Sequence, residues 1–417
     1  MTRDRATDVV ATGWAVESCI GRSPDAYWAN LAAGTSGIRP ITLFDASMLQ
    51  TQIAGEVPGF DASELLPTTE VRRTTRAHHL LLSVATQAYI GADRGGDRVG
   101  LVVGSGGMGT SALAELMAAE ADRFAALRSK AIDRLTLLKV LPSMPTSFVA
   151  QKLGITGPSL TVNSACASST DALALGAQWV RLGVADAVLV AGVEAWINEF
   201  VIAAFGRIQA LSTRAPEEAA KASRPFDSAR DGMVPSEGAA ALLLETRGRA
   251  ERLGREPLCT VMGSASSNDA FHPVMPREDG SVAARTLSDA LRDAGVAPDE
   301  LSFVSAHGTS TPLNDVAETR ALKTVLGEAT TIPVTAPKSV IGHCQGASGI
   351  VEIIGAIMAI KEDFLPPTIN LDTPDPDCDL DYVPNEGRPA SLRTAAKCSF
   401  GFGGQNAVVV IGEPAAT

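Results

Sequence analysis

The chain reads as an α/β protein on three observations. Short β-branched runs alternate with Ala/Leu-rich stretches of helical period, the runs are apolar on consecutive positions, and one long stretch is apolar all round. Consecutive apolar positions suit strands of sheets covered by helices on both faces, and all-round apolarity suits a helix buried between them. Buried sheets sandwiching shared helices are therefore expected.

In chain order, strands are predicted over residues 101–103, 160–162, 187–191, 260–262, 303–305 and 407–411. The segment STDALALGAQWVRLGV after Cys166 carries Ala172, Leu173, Leu175, Ala177 and Val180 on more than one face, which predicts a buried helix with Cys166 at its start. Residues 212–228, STRAPEEAAKASRPFDS, hold prolines and mixed charge and are expected as a surface excursion. A boundary near residues 253–257 divides the chain into 1–256 and 257–417, and both parts run strand, helix, strand in similar order, which hints at duplication.

Composition narrows the class of function. With 417 residues, 45% hydrophobic and 20% charged, the chain has the material for one large or two fused cores. A net charge of -12 disfavours nucleic-acid or anionic-membrane partners. The six cysteines form no CxxC pair and no Cys/His cluster at metal-ligand spacing, so reduced thiols in a cytosol fit best and no metal is expected. The first residues lack the apolar run of a signal peptide. The most apolar stretch, residues 350–360, is interrupted by Glu352 and is shorter than the ~20 residues that span a bilayer.

Three segments carry candidate chemistry: SACASS with Cys166, AHGTSTPLND with His307 and KSVIGH with His343. A thiol of reference pKa about 8.5 is mostly protonated at neutral pH, so a nucleophilic cysteine needs a helix N-terminus or a nearby cation. At a helix start, Cys166 gains a field that favours the thiolate and N–H groups able to hold an oxyanion. Taken alone, Cys166 reads first as a small buried hydrophobe, as most unpaired cysteines are. His307 is expected at a strand end before a glycine turn, and His343 just before a helix-like segment. Taken singly, each is readable as a histidine satisfied by its own loop. Lys338, hemmed by small residues, and Glu352, inside an apolar helix, are candidates for a partly buried ion pair that orients the histidines.

With these residues in view, the chain resembles a β-ketoacyl-acyl carrier protein synthase (ketosynthase) of the thiolase-like condensing-enzyme superfamily, nearest the elongating synthase II type and its polyketide relatives. The resemblance runs over essentially the whole chain. It rests on ordered landmarks: DVVATGW, WANLAAGTSGI, GSG at Gly104, NSACASS, RPFDSARDGMVPSEGAAALLLE, SNDAFH, AHGTSTPLND, APKSVIGHCQGASG and SFGFGG. It implies a five-layered αβαβα fold from two duplicated halves, the first carrying the cysteine and the second the histidines.

It also implies roles. Cys166 is the acylated nucleophile, His307 and His343 drive decarboxylation of a malonyl thioester and stabilise the enolate, and Lys338 and Glu352 support them. The backbone N–H groups of Cys166 and Phe400 form the oxyanion hole, Thr309 and Thr311 hold the phosphopantetheine arm, and Phe400 gates the acyl and malonyl pockets. No cofactor is implied beyond phosphopantetheine on the acyl carrier protein, with a structural monovalent cation near Glu352 by analogy alone. Carrier docking falls to Arg72, Arg73 and Arg76 of EVRRTTRAHH, a local basic patch on an acidic chain. The family is dimeric, which implies a homodimer or a heterodimer with a ketosynthase-like subunit.

The chain departs from the family at the acyl-pocket floor. It has GSGGMG in place of GxGIGG, so Gly107 and then Met108 replace a bulky aliphatic residue, and Trp196 and Phe200 occupy a usually smaller stretch; Gln405 follows SFGFGG. These departures imply a dedicated secondary-metabolite synthase. Two other readings stay open: an acyl-cysteine enzyme that cyclises or offloads its substrate without elongation, and a non-catalytic chain-length subunit, which Cys166 argues against.

Overall fold

The computed structural model describes residues 5–89, 97–107, 109–110 and 136–414. Its main sheet contains β1 (Val9–Glu17), β2 (Val99–Gly104), β3 (Ser159–Val162), β4 (Ala187–Glu194), β5 (Gly238–Thr246), β6 (Cys259–Asn268), β7 (Phe303–Ser305), β8 (Val334–Thr335), β9 (Thr394–Gly401) and β10 (Gln405–Gly412). The order is β8-β7-β9-β10-β6-β1-β5-β4-β2-β3.

At the centre, β1 and β6 meet through only two residue pairs, Val10 with Thr260 and Ala11 with Cys259. The sheet is thus two five-stranded sheets joined at a short seam. Counted from the seam outward, each runs first, fifth, fourth, second, third strand of its own half. The directions match as well: the two inner pairings are antiparallel and the two outer ones parallel. Duplication, only hinted at by the sequence, is explicit in this repeated topology.

Six helices set the layers: α1 (Arg76–Ala88), α2 (Ser168–Arg181), α3 (Glu199–Arg207), α4 (Ser281–Ala294), α5 (Pro312–Leu326) and α6 (Ser348–Glu362). α2 and α6 lie between the sheets; α2 packs on β4, β2 and β10, and α6 on β9, β5 and α2. Every residue of α6 from Ser348 to Ile360 is buried. α1 covers the outer face of the first sheet and α4, backed by α5, that of the second. Accordingly α4 is apolar on one stripe only, with Ala284, Leu287, Ala290, Leu291 and Ala294 buried. The result is five layers, αβαβα.

All six predicted strands are present, but β1, β5, β8 and β9 were not foreseen. β5 shows why: GAAALLLET consists largely of good helix formers, yet it is paired on both sides and almost wholly buried. Tertiary context overrides propensity there. The surface excursion over residues 212–228 is corrected in its second half, where 222–227 are buried. Phe226 stacks on Tyr382 at 3.7 Å between ring centroids, and Arg224 is paired with Asp227 at 2.9 Å. Among the described residues no helix is long and apolar enough to cross a membrane.

Candidate active site

The chain leaves β3 at Val162 and turns through Ala165–Ala167 into α2. Ala165 has φ +52°, a conformation that costs a non-glycine residue energy. Ser168 pins the turn: its Oγ donates to the Ala165 carbonyl at 2.6 Å and accepts the Ser164 N–H at 3.0 Å. Cys166, at the middle of the turn, is 7% exposed. Gly401 passes so close that a Cβ there would stand 3.0 Å from the Cys166 nitrogen. Burial pushes the Cys166 thiol up to about 11; Lys338 and the Phe402 N–H pull it down, and Glu194 adds to the rise. This corrects the expectation that a helix start gives a lowered thiol pKa, because desolvation of the thiolate outweighs the favourable dipoles.

His307 lies two residues beyond β7. Its N–H and that of Gly308 donate to Glu318 of α5 at 2.7 and 2.8 Å, which fixes the turn. Lys338 Nζ lies 3.4 Å from His307 Nδ1. An ammonium only donates, so Nδ1 accepts and the proton sits on Nε2. The same holds for His343, whose Nδ1 accepts the Gln345 N–H at 3.2 Å and lies 2.9 Å from Ser348 Oγ. His343 Nε2 is buried and has no partner among the described residues. The ligand atoms of Cys166, His307 and His343 all lie within 4.8 Å of one another. Burial, followed by the Lys338 charge, holds both imidazoles well below their usual pKa, so they stand as neutral Nε2–H donors.

Behind the histidines, Lys338 Nζ lies 2.6 Å from Glu352 Oε1, a fully buried pair. A residue the sequence reading missed completes the group: Lys397 Nζ is 2.7 Å from Glu352 Oε2. Its signal in the sequence was a single lysine inside the apolar strand TAAKCSFG. With both Glu352 oxygens engaged by ammonium groups, a monovalent cation does not fit at this carboxylate.

A cavity of about 440 Å³ opens from Cys166, His307 and His343 and is further lined by Thr309, Thr311 and Phe400. The two threonine hydroxyls are 2.9 Å apart. The Phe400 ring stands edge-on to His307, 5.8 Å between centroids, while its backbone lies opposite Asn406 in the β9–β10 ladder. The backbone N–H that meets the Cys166 thiol is that of Phe402. The oxyanion assignment to Phe400 is corrected accordingly, since two residues along the chain the backbone leaves the ladder and is free to turn toward sulfur. The Phe402 ring stacks on Phe205 of α3 at 6.1 Å.

The remaining expected residues divide. Gly107 N donates to Glu194 Oε1 at 3.0 Å, and a Cβ there would meet that same oxygen at 3.3 Å; Gly107 does not line the cavity. Met108 lies outside the described residues. Trp196 does not line the cavity: it is core, packed with Val201, Ile202, Leu211 and Met233, its Nε1 donating to the Ser236 carbonyl at 2.6 Å. Phe200 is half-exposed on α3 and does not line it either. Arg72 and Arg73 are exposed. Arg76 is instead clamped on buried Glu237 through Nε at 2.7 Å and Nη2 at 2.5 Å, which removes it from the docking patch.

Comparison with known proteins agrees with this geometry. The beta-ketoacyl synthase N-terminal domain matches residues 6–250 and the C-terminal domain residues 258–372. A 3-oxoacyl-[acyl-carrier-protein] synthase 2 of Synechocystis sp. is 39% identical, over 95% of this chain and 96% of its own length. The protein of that name from Coxiella burnetii is 35% identical, over 97% and 98%. Among solved structures, the ishigamide ketosynthase/chain length factor superposes with a TM-score of 0.89 at 34% identity, covering 98% of this chain and 99% of that one. A type II PKS acyl-carrier protein in complex with its ketosynthase, bound to the hexaketide, gives 0.89 at 30% identity with the same coverage.

Proposed function

The chain belongs to the β-ketoacyl synthase family, and from that premise we propose that it condenses an acyl group held on Cys166 with a malonyl unit held on an acyl carrier protein. The pathway is fatty-acid or polyketide assembly. The observation that carries this reading is the meeting of one thiol and two Nε2–H donors within 4.8 Å at the end of a cavity.

In the first half-reaction Cys166 sulfur attacks the carrier thioester, and the thiol proton leaves with the departing carrier sulfur. The oxyanion formed lies against the N–H groups of Cys166 and Phe402. In the second, malonyl binds with its thioester oxygen against Nε2–H of His307 and His343. Loss of carbon dioxide leaves an enolate whose charge those two donors receive. The enolate carbon attacks the acyl-cysteine, the N–H groups of Cys166 and Phe402 take the second oxyanion, and collapse expels the Cys166 thiolate, which takes a proton from water. Each preorganised donor contributes roughly 2.7 to 4 kcal/mol when aimed at developing charge. Thr309 and Thr311 bind the pantetheine arm, and Phe400 shapes the acyl side. The duplicated halves, 1–256 and 257–417, supply nucleophile and donors respectively.

The presence of all three groups supports the catalytic place in any homodimer or heterodimer with a chain length factor. Exposed Arg72 and Arg73 supply the docking charge for an acidic carrier, in a cytoplasm where the six cysteines, free in the structure, stay reduced. Charge reversal at Arg72 and Arg73 is expected to raise KM for the carrier a few-fold in a salt-sensitive manner, with kcat retained.

The deciding experiment is intact-protein mass spectrometry with a panel of acyl carrier thioesters, followed by malonyl carrier protein. An adduct on Cys166 that chases to a product two carbons longer supports condensation. An adduct released unextended or cyclised overturns it in favour of offloading.

A further inference from the structure

Lys397 has no role in the reaction drawn above, yet it is among the largest fully buried side chains of the molecule. Its Nζ donates to the Cys398 carbonyl at 2.6 Å, the Ala306 carbonyl at 2.9 Å and the Ser305 carbonyl at 3.5 Å, and is paired with Glu352 Oε2 at 2.7 Å. A neutral amine has two N–H donors and an ammonium has three, so three carbonyl acceptors beside a carboxylate match the charged form. The Ala306 carbonyl immediately precedes His307, and Cys398 leads into Ser399 and Phe400. Glu352 is shared with Lys338, which itself touches His307. One carboxylate therefore sits between two lysines; burial lowers Lys397 below its ordinary value while the Glu352 charge opposes that, and with both amines protonated the cluster keeps one unit of positive charge.

We propose that Lys397 is a positioning residue for the condensation: it ties the His307 turn to the strand leading to Phe400 and gives the Lys338–Glu352–Lys397 cluster the net positive charge felt by both histidines. This inference rests on the reading of function given above. A net positive charge disfavours an imidazolium and favours the anionic enolate, so it acts in the same direction on donor and intermediate. The other ionisable groups that face the histidines and the cluster are Cys166 on its turn, Glu194 at the end of β4 beside it, Glu318 on α5, Cys398 on β9, and Tyr27 and Cys344 beside Glu352. Glu318 meets the His307 backbone and Glu194 the glycine turn after β2, each already receiving backbone N–H groups. The ordering of causes agrees: burial and the Lys338 charge come before Lys397 in lowering both imidazoles.

The test uses the full-length enzyme and its Lys397→Met, Lys397→Gln and Lys397→Arg variants. Decarboxylation of malonyl carrier protein is followed from pH 5 to 8, together with 15N chemical shifts of the histidine rings. With the charge removed, the acidic limb of the rate profile and the imidazole titrations should both move up by a few tenths of a pH unit, and Lys397→Arg should return them toward the parent. A variant with lowered Tm and lowered rate but an unmoved limb and unmoved imidazoles reduces Lys397 to a structural residue and overturns the proposal. If neither neutral variant folds, lysine 15Nζ spectra of the parent decide. Two buried ammonium signals support a net positive cluster; one neutral amine overturns it. A parent enzyme that fails to decarboxylate malonyl thioesters sinks the functional reading instead, and the imidazole shifts still judge Lys397.

Discussion

Residues 163–169, NSACASS, and 343–349, HCQGASG, occupy the same place in the two halves and do opposite things with it. Each makes a short turn, Ala165–Ala167 or Gln345–Ala347, and then enters a buried helix at Ser168 or Ser348. Each turn begins with a non-glycine residue at positive φ, +52° at Ala165 and +42° at Gln345. At the middle of the first stands Cys166; at the middle of the second stands Gly346, where a Cβ would lie 2.2 Å from the Gly106 nitrogen. Three residues earlier the contrast inverts, with exposed Asn163 in one half and buried His343 in the other. The buried charges, by contrast, are shared: Glu194 raises the Cys166 thiol and accepts the Gly346 N–H at 3.1 Å, and Lys338 acts on Cys166 as well as on both histidines. The lesson is that one backbone device serves twice, and the chemistry follows from which position keeps a side chain.

Deleting the nucleophile tests the comparison most severely. Cys166→Ala should abolish the acyl adduct and lower condensation by about 10⁴-fold or more, measured by mass spectrometry and product formation. Next comes His343→Ala, expected to lower condensation by about 10²- to 10³-fold, the worth of one donor aimed at developing charge. Acylation of Cys166 should survive it better, because the N–H groups of Cys166 and Phe402 belong to the other oxyanion. Equal loss of both steps would show that the halves do not divide the work.

An exchange of the middle residues sharpens the contrast further. Cys166→Gly should fold with a stability loss of about 1–2 kcal/mol, the entropic cost of glycine together with the lost burial of the thiol. Gly346→Cys should lose about 1–3 kcal/mol or more from overpacking against Gly106, read as a drop in denaturant midpoint. Tolerance of both would mean that the Gly346 turn has slack its contacts do not suggest.

Much of this was legible beforehand, and the misses have physical causes. Cys166, His307 and His343 stand in small-residue motifs whose turns need those residues, so residue type and neighbours located them. The Lys338–Glu352 pair was readable because each charge interrupts an apolar context. Lys397 was equally conspicuous in its strand, but nothing in a linear pattern reveals that β9 packs against α6. Arg76 looked like its neighbours Arg72 and Arg73; only the fold brings Glu237, 161 residues away, to its guanidinium. Trp196 reads as pocket or core alike, and the Ser236 carbonyl that takes its N–H decides the matter. The same limit hid β5, since helix formers become a strand when both ladder edges are waiting for them.

The smallest effect expected concerns the carboxylate each half buries beneath a turn. Glu194 accepts the N–H groups of Gly106, Gly107 and Gly346, and Glu318 those of His307 and Gly308. Burial raises both to about 7 against the pull of those donors. A carboxyl whose folded value exceeds its unfolded value of about 4.3 stabilises the fold in its protonated form. That contribution is complete below the unfolded value and is lost as pH rises through about 7. Denaturation midpoints should therefore fall between pH 5 and 8 through these groups, and Glu194→Gln and Glu318→Gln should each flatten the fall. Both variants should also lose stability, because an amide places one donor where the carboxylate offered a second acceptor. Cys166 separates the two: Glu194 raises its thiol, so Glu194→Gln alone should speed its alkylation at pH 8 by a few-fold. An equal acceleration in Glu318→Gln would mean that the buried charges of the two halves are felt across the seam.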